Sequence, residues 1–95
     1  MTHWKAQTYI APGHVMVREL DGEAVLLDLN EEIYFGLDEV GTRLWTILST
    51  SASVETALDT LEAEYDVSRE VLENDVASLI RELVARGLLE PVGTA

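Results

Sequence analysis

The spacing of apolar residues changes once along this chain, near residue 38, and this change limits the possible folds more than any other feature. Before it, apolar residues alternate with other residues in short runs over 14–20, 23–29 and 33–37. After it, apolar residues recur every three or four positions. Alternation is typical of strands, and the longer period is typical of helices. The sequence therefore predicts an α+β domain with a three-stranded antiparallel meander followed by three helices.

Two polar turns separate the predicted strands. Asp21-Gly22 favours the positive φ angles of a two-residue hairpin. The run 30–32 is polar and short enough for a second tight turn. In the third strand Tyr34 points away from the face that we expect to turn toward the core. That apolar face consists of Ile33, Phe35 and Leu37.

Each predicted helix begins after a residue that commonly caps helices: Asp38, Ser53 and Ser68. The polar run 49–51 ends the first helix, and residues 65–66 end the second. The third helix runs to about Arg86 and is followed by Gly87, the residue type favoured just beyond a helix end. Its apolar stripe consists of Leu72, Val76, Leu79, Ile80 and Leu83.

The chain length and charge restrict the class of protein. Its 95 residues suffice for one domain, which we divide into an N-terminal segment, 1–13, and a folded domain, 14–92. With 18 acidic and 6 basic residues, the net charge of −12 disfavours nucleic acid and anionic membranes as partners. No stretch is apolar enough to span a membrane, and there is no cysteine. We therefore expect a cytoplasmic protein.

Residues of catalytic type are scarce and scattered. The two histidines, His3 and His14, are not spaced as metal ligands, and no nucleophile or phosphate-binding motif is present. The serines at the helix starts are explained by capping. The sequence therefore predicts a protein that is not an enzyme and that needs no cofactor or metal.

Three stretches together resemble a known family. They are 25–29 followed by Tyr34; Leu37, Gly41 and 44–45; and 75–76, Leu79 and Leu83, closing in 87–89. In their order and spacing they are similar to the PqqD-like family, the recognition elements for precursors of ribosomally made, modified peptides, over about residues 14–90.

Within that family, Val-Leu-Leu-Asp in the second strand makes the chain most similar to the leader-binding half of the split B protein of lasso-peptide pathways. Many relatives have Leu-Asn after the third strand, whereas this chain has Leu37-Asp38. Both residue types cap helices, so the fold prediction is unchanged.

The resemblance implies a winged-helix-like domain without chemistry of its own. A precursor's leader peptide would add as an antiparallel strand to the edge of the third strand and rest on the third helix. The implied partners are this leader and a separate leader-cleaving cysteine protease, with a cyclase as a further candidate. The residues that we expect to bind the peptide are Ile33, Tyr34, Phe35, Gly36, Leu72, Asp75, Val76, Leu79 and Leu83.

Other interpretations remain open at this point. Apolar helix stripes usually belong to the core, which is an alternative role for Val76 and Leu83. Asp75 has no role in a core, but it is equally well explained as a solvated charge. The element order also fits a winged-helix DNA-binding regulator, which the acidic composition disfavours. A PqqD-like chaperone for a radical-SAM modifying enzyme is a third possibility.

Overall fold

A computed structural model describes residues 4–50 and 53–92 of the protein. His3, and Ser51 of the predicted helix break, lie outside these ranges. After a 3₁₀ turn, Trp4–Ala6, the elements are β1 (Tyr9–Ile10), β2 (Val15–Leu20), β3 (Glu23–Asp28), β4 (Ile33–Leu37), α1 (Glu39–Leu48), α2 (Val54–Glu64), α3 (Arg69–Ala85) and β5 (Glu90–Pro91). The predicted order of a three-stranded meander and three helices is confirmed.

Strands β2, β3 and β4 form an antiparallel sheet in that order, so β4 lies at one edge. The predicted hairpin joins β2 to β3, with φ angles of 53° at Asp21 and 82° at Gly22. These left-handed conformations match the right-handed twist of the two strands, and glycine adopts them without steric cost.

The turn between β3 and β4 is held by a buried carboxylate. Asp28 is 2% exposed, and its Oδ1 accepts hydrogen bonds from the backbone N–H groups of Asn30 and Glu31. Glu32, in a left-handed conformation with φ of 58°, donates its N–H to the Asp28 carbonyl. The aspartate of the Val-Leu-Leu-Asp run therefore shapes the turn that leads into β4.

All three predicted caps are present. The Oδ1 of Asp38 accepts a hydrogen bond from the N–H of Gly41 at 2.8 Å, and Ser53 and Ser68 cap α2 and α3 in the same way. At the other end of α3, Gly87 has a φ of 75°, and the N–H of Leu88 bonds back to the carbonyl of Leu83. This arrangement satisfies carbonyl groups that the helix end would otherwise leave unpaired.

The core lies between the sheet and the helices. Its fully buried side chains come from β3, all three helices and the segment after α3: Leu26, Leu44, Leu48, Val54, Leu58, Leu61, Leu83, Leu88 and Leu89. A polar contact also ties α1 to the sheet, because the buried Thr42 Oγ1 accepts the N–H of Ala24 at 2.8 Å. This contact fixes α1 beside the end of β4.

Residues near the two chain ends pair with each other, which the sequence did not predict. Tyr9–Ile10 forms an antiparallel pair with Glu90–Pro91, and the carbonyl of Gln7 accepts the N–H of Val54. A proline commonly interrupts regular structure, but Pro91 belongs to the short strand β5.

The prediction for the apolar face of β4 is wrong at one residue. Leu37 is buried and Phe35 is partly buried, as expected. Ile33 is 39% exposed, because it lies at the end of the sheet next to the turn. The alternation of the strand is correct, but the core does not extend as far as its first residue.

Candidate functional site

An open strand edge is the first component of the candidate site. Within the described ranges β4 pairs with β3 alone. Its sequence, IYFGL, contains no charged residue and no proline. Such residues commonly protect an exposed edge against pairing with another strand. The edge of β4 is therefore chemically open to an additional strand.

The hydrogen-bond directions in the sheet can be followed from the hairpin. Leu20 and Glu23 are the closing pair of a two-residue hairpin, in which the paired residues bond to each other. The N–H of Glu23 therefore faces β2. The N–H of Leu29, six residues later, also faces β2 and bonds to the carbonyl of His14. The residues of even number in β3 consequently direct their N–H groups toward β4.

This alternation decides which groups of β4 face the open edge. Phe35 lies opposite Leu26 of β3, and the two residues direct their backbone groups toward each other. The neighbouring residues Tyr34 and Gly36 then direct their N–H and C=O groups away from β3. These four groups are available to a partner strand.

A cavity next to this edge is the second component. It has a volume of about 470 Å³ and lies between β4, α1 and α3. We call it, together with the edge of β4, the β4–α3 groove. Six of the residues predicted to bind peptide line it: Phe35, Gly36, Leu72, Asp75, Val76 and Leu79. Leu72 and Val76 also belong to the core. Packing in the core and a position beside the peptide are therefore compatible roles for residues of the helix stripe.

The other predicted residues lie outside the cavity lining. Tyr34 is 73% exposed and points to the face of the sheet opposite the helices. Ile33 lies at the start of the open edge, and Leu83 is buried in the core. For Tyr34 and Ile33, contact with a peptide strand would come through the edge rather than through the cavity.

Seven lining residues were not predicted from the sequence: Leu37, Asp38, Val40, Gly41, Leu44, Tyr65 and Val67. Most belong to α1 or to the α2–α3 connection. Of these seven residues, Gly41 is the one that the sequence could have indicated as part of the site, because it is a glycine inside a helix. A Cβ there would lie 3.3 Å from a methyl group of Leu79 and 3.4 Å from one of Leu37, so glycine keeps the cavity open.

The polar groups of the cavity are few. Asp75 is exposed at its rim, and Asp38 is occupied as the cap of α1. Partial burial, together with the nearby carboxylates of Glu39 and Glu64, raises the pKa of Tyr65. The Tyr65 phenol can donate a hydrogen bond. The lining of the cavity is therefore mostly apolar, with two carboxylates and one phenol.

The described residues contain no cluster of His, Asp and Glu side chains that could hold a metal ion. Neither is any helix in the described ranges long and apolar enough to cross a membrane.

Two solved structures are similar to this chain. One is TbiB1 in complex with the TbiA(beta) leader peptide, with a TM-score of 0.81 and 38% identity; the match covers 90% of this chain and 98% of that one. Another is a lasso peptide synthetase B1 complexed with the leader peptide, with a TM-score of 0.80 and 26% identity; here the match covers 87% of this chain and 98% of the other.

The comparison with protein families agrees with these structures. No curated protein gives a significant match. The family model described as coenzyme PQQ synthesis protein D (PqqD) matches residues 23–89, which is more than half of the chain. The chain therefore belongs to the PqqD family.

Proposed function

We propose that the chain binds the leader segment of a ribosomal precursor peptide as an added antiparallel strand on β4, with one side of the peptide resting on α3. The observation that carries this proposal is the open edge of β4 beside an apolar cavity. Strand addition obtains affinity from backbone hydrogen bonds, and pockets for alternate side chains give it specificity. The similar structures, both complexes with leader peptides, support the same function.

The contacts of such a strand follow from the geometry of β4. Peptide residues opposite Gly36 and Tyr34 would pair with the backbone groups at the open edge. Residues opposite Leu37, Phe35 and Ile33 would direct their side chains toward α3, because directly opposite residues share a face. The residue opposite Leu37 would enter the cavity, whose lining favours an apolar side chain.

In this proposal the chain has no catalytic role. It acts in the cytoplasm and presents the leader to a separate cysteine protease and to a cyclase. The protease is expected to cleave the complete precursor faster when the chain is present, and cleavage rates with and without the chain test this role. Equal cleavage rates would contradict the proposed link to the protease, but they would not contradict the proposal that the chain binds the leader.

Hydrogen exchange of individual backbone amides tests strand addition directly. The labelled protein is measured by NMR with and without the leader peptide of its own precursor. We expect the exchange of the Tyr34 and Gly36 amides to slow on binding, while the Phe35 amide, already paired with β3, changes less. The outward amides of the other edge strand, at Val17 and Glu19, serve as controls. Binding without protection at Tyr34 and Gly36 would refute strand addition at β4.

A further inference from the structure

Arg86 directly follows α3 and lies beside Phe35 of β4. Its guanidinium carbon is 5.1 Å from the centre of the Phe35 ring, a cation–π distance, and Phe35 lines the cavity. The backbone of Arg86 is fixed, because this residue caps the C-terminus of α3 and its N–H bonds to the carbonyl of Glu82. A positive charge is thus held beside β4.

This charge is only partly neutralised by the protein. The side chain of Arg86 is 47% exposed, and its one ion pair in the described ranges is with Glu82, at 3.1 Å. Glu82 is itself about half exposed, and exposed pairs of this kind contribute little to stability. A guanidinium has five N–H donors, so donors remain for a second carboxylate.

The proposed strand addition gives the position of this charge along the peptide. An antiparallel guest runs from the Leu37 end of β4 to the Ile33 end. Its residue opposite Leu37 enters the cavity. The residues two and four positions later lie opposite Phe35 and Ile33, with their side chains on the same α3-facing side. Because Arg86 lies over the Phe35 ring, we expect these two positions to be the ones closest to Arg86.

We propose that Arg86 is a specificity-determining residue, which selects peptides with Asp or Glu two or four residues C-terminal to the residue in the cavity; this inference rests on the proposed function. The overall charge of −12 disfavours acidic peptides in general. A carboxylate at this position is favoured because a guanidinium lies beside it. The same contact sets the register, since a strand shifted by one residue turns its acidic side chain to the other face.

Selection from a displayed library of random peptides tests the proposal without knowledge of the natural leader. The wild-type protein, Arg86→Glu and Arg81→Glu are selected in parallel. Arg81→Glu is the matched control, because it makes the same change of charge on another side of α3, beside Trp4 and Tyr9. Circular dichroism verifies the fold of each variant.

Peptides selected by the wild type and by Arg81→Glu are expected to carry Asp or Glu at the stated spacing, and Arg86→Glu is expected to lose this preference. In a selected peptide, replacing the acidic residue by its amide should weaken binding to wild type about two- to fivefold and leave binding to Arg86→Gln unchanged. No acidic preference, or the same preference with all three proteins, would overturn the role of Arg86. Failure to select any peptide that depends on the edge of β4 would instead overturn the proposed function.

Discussion

Replacement of Gly36 by proline tests the use of the β4 edge most directly. Gly36 directs its N–H group to the open side of the strand, and proline has no N–H and a fixed φ. Backbone pairing within the sheet should be little affected, because the Gly36 N–H is not directed toward β3. We therefore expect Gly36→Pro to fold and to bind the leader peptide more weakly than the wild type.

The size of the effect follows from the hydrogen bonds involved. Each backbone bond to a guest strand contributes about 0.5–1.5 kcal/mol, and a peptide carbonyl that the bound strand shields from water costs about 1–3 kcal/mol if it stays unpaired. A loss of about 1–3 kcal/mol corresponds to an affinity about five- to 150-fold weaker. Fluorescence anisotropy of a labelled leader peptide, or titration calorimetry, measures this change.

Two control variants separate the N–H group from other effects of the substitution. A Cβ at Gly36 has no heavy atom within 4 Å, so Gly36→Ala changes the side chain without a clash and should bind within about threefold of the wild type. Glu19→Pro removes an outward N–H from β2, the opposite edge of the sheet, and should leave leader affinity unchanged. If Gly36→Pro folds and binds as tightly as Gly36→Ala, the peptide does not pair with this edge.

Four further predictions concern the rim of the cavity, metal, the β3–β4 turn and acid. Asp75→Ala should weaken leader binding roughly five- to tenfold without loss of fold, whereas unchanged calorimetric affinity would make Asp75 only a solvated charge. Leader affinity should be the same with and without a chelator, and loss of binding on metal removal would contradict this. Asp28→Ala should lower the free energy of unfolding by about 1–3 kcal/mol, measured by denaturant titration, because two backbone N–H groups lose a buried acceptor. Lys5 and Arg69 hold the pKa of Glu73 below its ordinary value of 4.5. The stability that these two contacts contribute is therefore complete above about pH 4.5 and is lost as the pH falls through the lower pKa of the folded state. Thermal melts in an acid series should show this loss in the wild type and a smaller loss in Glu73→Gln.

The features predicted correctly from the sequence are those encoded by neighbouring residues. Asp21-Gly22 determines its hairpin through backbone conformation, and Asp38, Ser53 and Ser68 cap helices within a few residues of their own positions. Alternating apolar residues identify the three main strands for the same reason. Local chemistry therefore accounts for the elements and their order.

The pairing of β1 with β5 has no comparable local signal. Each strand has two residues, one of the four residues is a proline, and the two strands are separated by nearly the whole chain. Two-residue strands are too short to show an alternating pattern. Such a contact forms because the helices bring the two segments together, and spacing within either segment does not contain this information.

The residues that we expected to bind the peptide include only some of those that line the cavity, for a related reason. Leu72, Val76 and Leu79 were expected beside the edge of β4 because the family resemblance implies that the guest peptide rests on the third helix. Val40 and Leu44 line the same cavity, but on α1 they look like ordinary core residues. An apolar residue at helical spacing has the same pattern whether it contacts another side chain or an open cavity, so only the packing distinguishes the two.

The two edge strands of the main sheet differ in their charged residues, and this difference bears on both folding and function. The exposed edge strand β2 contains Arg18 and Glu19, which hinder pairing with another strand, whereas β4 contains no charged residue. An unprotected edge normally invites association between copies of a protein. Here α3 lies beside β4, and a cavity of about 470 Å³ lies between them. We expect this arrangement to favour a single extended peptide over the sheet of a second copy, because a second copy would bring its own helices with its sheet. The net charge of −12 further opposes contact between copies. On this argument, a substitution that fills the groove should weaken peptide binding in titration calorimetry without changing the oligomeric state of the protein.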